Sequence, residues 1–499
     1  MTDAQFQSWL LNPTSIRLVL VEAIANISGT ETVIYMANGT YVTGAADAPA
    51  NTVYDAIIKG GVAITENLGV SAEGKGSASM NTGDVEITNP NGERDAWLGS
   101  TYTWAQRNIV AYIGDPRWPR SDFRIIFSGV TADITSRSRE VLNLVMSDKL
   151  QRLNVATTDL KLGGTSTNKD AVLPLTFGEV HNITPLLSNP ATLEYQVHNG
   201  PIEAIIEVRD NGVPLLGTSA PVVTPSTGKF TLPTNPVGTI TASVQGYKPS
   251  TTYYHTIAAT IQQIVLNYGQ SARMFTSADL DTANISAFET AHPQEIGTHL
   301  QSGENLFSTI QEIADSVGAQ VVMSRTGLLQ LIQLASPASS TITIGPDDML
   351  ENSLAISMRT TVIAAKVLGY CKNWTVQPNL QTGIAPEGVT LFGSEYLTVT
   401  QSDATVKAAY RLTAMPAEED TLLLTAADAT NEAARRLNLY KVPRTVYTFT
   451  GMPQLLTLTL GQAVTLKSYR YGLFGGVLGM VVSLQPDWIT GRVTVGVFV

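Results

Sequence analysis

The sequence predicts a mainly β protein with a smaller α+β part: two tube-like β-barrel domains, an inserted small β-domain and a mixed α/β domain. Three observations predict it. Short runs that alternate apolar and polar residues recur between turn residues at both ends of the chain. Helical spacing is concentrated in the middle, with one further stretch near residue 430. Only 15% of the 499 residues are charged while 43% are hydrophobic, so the surface relies on Thr, Ser, Asn and Gln and suits sheets better than a charge-laced helical bundle.

Taken in order, the first strands are expected at 16–21, 31–35, 53–59, 83–88, 108–113, 123–127 and 140–146, separated by turns such as Asn89-Pro90-Asn91-Gly92 and Gly114-Asp115-Pro116. Many short strands parted by turns read as a barrel over 1–165, ending in a short helix at 147–153 with Leu150 and Leu153 on one side. A Gly, Thr, Ser and Asn stretch from Lys161 to Lys169 leads to a small β-domain over 166–252, whose turn Asp210-Asn211-Gly212 joins 202–209 to 213–216. The mixed domain spans 253–340. Ile257, Ile261, Ile264, Val265 and Tyr268 share one helical face before Gly269, and Leu306, Ile310, Ile313 and Val317 share another before Gly318. The second helix feeds a hairpin, 319–324 and 328–334, turning at Arg325-Thr326-Gly327. The second barrel covers 341–499. One helix interrupts it, starting at the Thr425 to Asp428 capping spacing and stopping by Pro443, and strands follow at 445–450, 455–460, 463–467, 477–484 and 492–497.

Composition excludes several classes. The net charge is -11, with 17 basic and 23 acidic side chains up to residue 250 and 14 and 19 after it, so neither half is a basic nucleic-acid-binding tail. One cysteine, Cys371, excludes a disulfide scaffold and a zinc ribbon. The run before Pro13 has neither the basic flank nor the apolar stretch of a secretory leader, and Gly472 to Leu484 is too short to span a bilayer.

Chemistry-bearing motifs are weak. Gly69 to Lys75 has the first seven positions of a phosphate-binding loop, but Gly76 stands where the magnesium-binding hydroxyl belongs, which favours a surface loop. Of His181, His198, His255, His292 and His299, only His292 and His299 cluster locally with acids, Glu289 and Glu295, and no His-Glu-x-x-His occurs; neither a metal nor a cofactor is expected. No Gly-x-Ser-x-Gly elbow supports a serine nucleophile, and no acid pair stands out for glycoside cleavage. Trp97, Tyr102, Trp104, Tyr112 and Trp118 alternate with Arg107, Arg117, Arg120 and Arg124, as a single-strand-binding surface would require. Local acids, Glu93, Asp95, Asp115 and Asp122, nearly balance the arginines and favour core packing with ion pairs instead. The strongest charge pattern is the absence of any acid from Ala433 to Pro486, where Arg435, Arg436, Lys441, Arg444, Lys467 and Arg470 form a candidate docking face for an acidic partner or a neighbouring copy.

Stretches along the chain, in order, carry a resemblance. Gly92-Glu93-Arg94-Asp95-Ala96-Trp97, Gly114 to Arg120 and Ile126 to Ile134 precede Leu142 to Leu153, and Phe177-Gly178-Glu179-Val180-His181-Asn182 follows. Residues 257–334 then run helix, acidic loop, helix near Gly303-Glu304-Asn305, hairpin, and 425–499 carry Gly461-Gln462 before a Gly-rich turn and a last strand pair split by Thr490-Gly491. Together they resemble bacteriophage tail-tip or baseplate hub proteins. The resemblance implies a non-enzymatic virion protein made in the host cytoplasm: a homotrimer that closes the tail tube and opens for DNA ejection. It implies contacts with the distal tail protein ring, the tape-measure C-terminus and central spike or tail fibre proteins, with DNA only in transit and the host envelope met indirectly. The 166–252 insertion departs from compact hubs. A receptor- or carbohydrate-binding tail protein, or a glycan-cleaving enzyme, is the alternative.

Overall fold

In the computed structural model, residues 1–71, 76–377, 380, 384, 386–414 and 416–499 are described. The mainly β character holds, with six sheets among the described residues, and none of them closes into a barrel. The N-terminal sheet has nine strands. Its order is Tyr41–Val42, Val53–Ala56, Thr30–Ala37, Leu18–Ile27, Asn108–Gly114, Arg124–Ser138, Val141–Ser147 and Asp84–Thr88, with Tyr102–Thr103 also on Leu18–Ile27. The opening run Leu18-Val19-Leu20-Val21 is continuously apolar because both faces are covered. Val19 and Val21 enter the main core, while Leu18 and Leu20 pack with Tyr41, Tyr54 and Phe123 on the other side.

The margins of this sheet meet at the isolated bridge Ile58–Ile87 without a ladder between strands. The reason lies at Gly60, whose φ of +96° turns the chain away. Strands Ile64–Asn67 and Ser79–Thr82 leave this sheet and pair with the C-terminal sheet, where Asn67 and Glu66 face Ser483 and Leu484. That eight-stranded sheet runs Ile342–Ile344, Ala463–Leu466, Val477–Asp487, Arg492–Phe498, Thr445–Gly451, Ala355–Arg359 and is likewise open. The strand expected at 455–460 is a 3-10 turn, Pro453–Thr457, with Leu455 and Leu456 buried. Pro453 has no N–H for a ladder and its fixed φ suits the first turn of a helix. Both ends of the chain share one core, which joins Val19, Ile109 and Phe127 to Phe449, Val481 and Val495.

Seven α-helices occur among the described residues. The first, α1 (Asp3–Leu11), opens on a Thr2–Gln5 capping box and buries Phe6, Trp9 and Leu10. Helices α2 (Ile257–Asn267), α3 (Thr282–Ala291) and α4 (Leu306–Asp315) pack around the hairpin Ala319–Met323 and Leu329–Gln333. Helix α3 occupies the expected acidic loop. Asp281 caps it by accepting from the Asn284 N–H, and Ile285 and Phe288 are its buried residues. Helices α5 (Pro386–Gly393) and α6 (Ala404–Tyr410) are short, whereas α7 (Ala426–Tyr440) starts at its Thr425 cap as the spacing predicts.

In the inserted region a five-stranded sheet runs Val213–Pro214, Ile202–Asp210, Ile240–Tyr247, Leu175–Ile183, Gly297–Leu300. Gly178 stands opposite Gly297 at its tightest point. With φ +64° at Gly178, an added Cβ would collide with the Ile296 carbonyl oxygen, and one on Gly297 would collide with that of Glu179. Gly178→Ala is therefore expected to cost about 3 kcal/mol, at the upper end of single substitutions. Chemical denaturation checks it, and an unchanged midpoint would contradict the close approach.

Candidate docking surface

The six cations of the acid-free stretch do not form one face. Arg436 is 1% exposed. It donates to Glu432 and Glu419 at 2.6 Å each and to the Asp315 carbonyl at 2.6 Å, tying α7 to the strand Glu418–Asp420 and the end of α4. Arg435 donates to both Glu432 oxygens at 2.7 Å and to the carbonyls of Leu334 and Val317. Lys366 forms a further buried pair with Glu419. Burial pushes the Glu432 carboxyl up, and the bonds from Arg435 with the charge of Arg436 outweigh it, leaving its pKa below the ordinary value. Arg435 and Arg436 are thus internal ties. The stretch lacks acids in sequence, but Glu419 and Glu432, just outside it, meet it in space.

Lys441 reaches Asp403 at 3.7 Å, and Arg444 donates to the Leu439 carbonyl at 2.7 Å. Lys467 and Arg470 are exposed. They flank the turn between the strands Ala463–Leu466 and Val477–Asp487, where Tyr469 is 79% and Phe474 78% exposed. These rings lie 6.3 Å apart, Tyr471 packs 5.9 Å from Tyr447, and the Arg470 guanidinium sits 5.5 Å from the Tyr471 ring. Buried Leu473 anchors the turn: its N–H donates to the Arg470 carbonyl, and its own carbonyl accepts from Ser468 and Gly476. A shaped tip holding two large rings and two cations in water is suited to docking, since rigid aromatics and arginine supply most of the energy at interfaces. The signal in the sequence was Tyr-Arg-Tyr-Gly-Leu-Phe-Gly-Gly, aromatics set in a turn with no strand to bury them. Tyr469→Ser with Phe474→Ser is expected to leave stability within about 0.5 kcal/mol of the parent chain, which thermal melts measure.

The other predicted sites resolve into structure. Trp97 packs 5.4 Å from Trp104 and Trp118 lies 4.7 Å from Trp9, so these rings face the protein. Arg117 pairs with Asp115 as expected, whereas Arg107, Arg120 and Arg124 pair with Glu31, Glu22 and Asp3 from distant strands and α1. The local histidine cluster separates. His292 caps α3 against Phe288, Glu289 accepts from the Ala259 N–H, Glu295 lies 3.4 Å from His255, and His299 is interior. Among the described residues no group of three metal-ligating side chains occurs. Of the loop at 69–75, residues 72–75 lie outside the described residues, and Gly69 exchanges hydrogen bonds with the Gln320 side chain. A cleft of about 590 Å³ opens between α1, the turn at Arg325 and Trp488. Its charged floor is a structural tie, because Arg325 meets Glu66 at 3.4 Å and donates to the Leu456 and Leu458 carbonyls.

No protein-family model matches the chain, and no curated protein matches it by sequence. Solved structures that match the chain include a 43 kDa tail protein of prophage MuSo2 from Shewanella oneidensis, 12% identical with a TM-score of 0.41 over 97% of this chain and 98% of that one. Another is a tail protein from Neisseria meningitidis, 9% identical with a TM-score of 0.40 over 96% of each chain. A chain from the virion of a native gene transfer agent particle is 12% identical, with a TM-score of 0.42 over 70% of this chain and 91% of that one.

Proposed function

We propose that this chain is a non-enzymatic structural protein of a phage-type tail, acting as the hub of the tail tip. In this reading three copies form a ring that closes the tube, meets the distal tail ring above and spike or fibre proteins below, and opens to release DNA. The observation that carries the reading is order. The motif stretches of the hub resemblance fall, in sequence, on regular elements, although neither end closes into a barrel: strands through Ser147, the turn Lys149–Leu153, the Phe177-Gly178 strand, the α2 to hairpin unit, and α7 with the strands after it. Two open sheets per subunit, one with a margin at Ala355–Arg359 and one with an edge at residues 30–33 that Val53–Ala56 leaves uncovered, suit lateral association. The aromatic tip at Tyr469 and Phe474 is a candidate contact for a tail partner.

Solution mass and glycan turnover test the proposal together. The expected result is a species of three times the 53.4 kDa chain mass that leaves cell-wall glycans intact. A lone chain that cleaves glycans would replace this reading with the carbohydrate-active one.

A further inference from the structure

The strand Ala355–Arg359 is exposed at all five positions. It closes one margin of the C-terminal sheet, pairs with Thr445–Gly451 on its inner side, and presents Ile356 at 47% and Met358 at 37% exposure. Soluble proteins blunt such margins with charge, proline or cover. This one carries a single charge, Arg359, and a register shift between Ile356 and Met358 that confines further pairing to a short ladder.

Charge around it is segregated. From Asn352 to Pro386 the chain has no acid, and the adjoining strand belongs to the acid-free stretch 433–486. In sequence the opposite holds along one run of the N-terminal sheet, although Arg120 and Arg107 reach its Glu22 and Glu31 from outside that run. From Leu18 to Ile58 there is no lysine or arginine, and four acids are present: Glu22, Glu31, Asp47 and Asp55. There the first half of Thr30–Ala37 is exposed. It pairs with Leu18–Ile27 on one side, while on the other Val53–Ala56 reaches only Met36 and Ala37. Residues 30–33 thus offer a second free edge, with half-exposed Glu31, held by Arg107, and exposed Val33.

We infer that Ala355–Arg359 of one copy adds to the free edge at Thr30–Val33 of the next, with Arg359 facing Glu31. Ladder hydrogen bonds supply the contact, Ile356, Met358 and Val33 supply its apolar part, and the opposed charges choose the partner edge. The two surfaces differ, so the contact is head-to-tail and generates a closed ring once the rotation closes. This inference rests on the ring reading above and adds the surfaces that form it.

The test is the concentration at which the full chain half-assembles, read by light scattering for the parent, Arg359→Glu, Glu31→Lys, the charge-swapped pair, and Ile356→Lys with Met358→Lys. All these side chains are surface groups, and matched thermal melts show that each variant folds. Each single reversal is expected to raise the half-assembly concentration by about tenfold or more. The swapped pair should restore most of it, and the double lysine variant should stay monomeric. A parent ring that every variant forms equally well would overturn this inference and leave the ring reading standing. So would variants that assemble normally yet fail to enter particles, which would assign the edge to a different tail protein. A parent chain that is monomeric at every concentration would overturn both.

Discussion

Arg436→Ala is expected to lower stability by about 3–5 kcal/mol, because it strands buried carboxylates that the guanidinium now neutralises. Glu432 and Glu419 are 6% and 8% exposed and would be left with Arg435 and Lys366 as their remaining cations. The Asp315 carbonyl would also lose one of its two donors, keeping the Gly318 N–H. These groups join α7, α4 and the strand Glu418–Asp420, so the loss would spread across the mixed region. Denaturant unfolding should show the drop as a lower midpoint. Replacing Arg436 by Met together with Glu432 by Leu should recover part of it, since apolar groups of similar size need no counter-charge. A midpoint for Arg436→Ala within about 1 kcal/mol of the parent, inside the range of ordinary surface pairs, would show that the cluster does not hold α7.

Acidification should destabilise the fold between pH 6.5 and about 3 through two interior histidines. His198 and His299 flank Thr176. The Thr176 N–H donates to His198 Nδ1 at 2.9 Å, and the Thr176 hydroxyl meets His299 Nδ1 at 2.8 Å. Around them lie Phe177 and Tyr247 on one side and Trp374 and Gln301 on the other. Burial lowers both imidazoles to about 3, and for His198 the neighbouring His299 adds to the shift. The folded state therefore keeps them neutral where the unfolded chain takes up protons. Their contribution is complete above pH 6.5, shrinks as the pH falls, and is gone below about 3. Each site loses up to about 1.4 kcal/mol per pH unit across that window. Stability measured against pH should fall more steeply for the parent than for His299→Gln. Parallel curves would refute the assignment.

Much of the fold was legible because it depends on local periodicity. Helices α2, α4 and α7 were found from their apolar spacing and their stops, and Gly269 and Gly318 adopt the positive φ, +96° and +63°, that ends them. The hairpin after α4 followed from its turn. Helix α3 was missed because it buries little more than Ile285 and Phe288, too few to set a period. The barrels were overread for another reason. Alternation reports that a strand has one covered face, not which strand covers its edge, and the paired strands Ile64–Asn67 and Ser79–Thr82 cross to a strand some 400 residues away. The candidate site divides in the same way. A gap in acids along the chain was visible, but the carboxylates that reach Arg435 and Arg436 come from Glu432, just before it, and from Glu419 on a separate strand. Exposure then selected Lys467, Arg470 and the neighbouring rings, which composition could not rank.

The central claim, a ring-forming tail hub, is tested most directly by counting copies of this chain at the tip of intact particles, through quantitative mass spectrometry or particle imaging. Three copies around the axis is the predicted result. Six copies would make the chain a component of the distal tail ring, and its absence from particles would contradict the account.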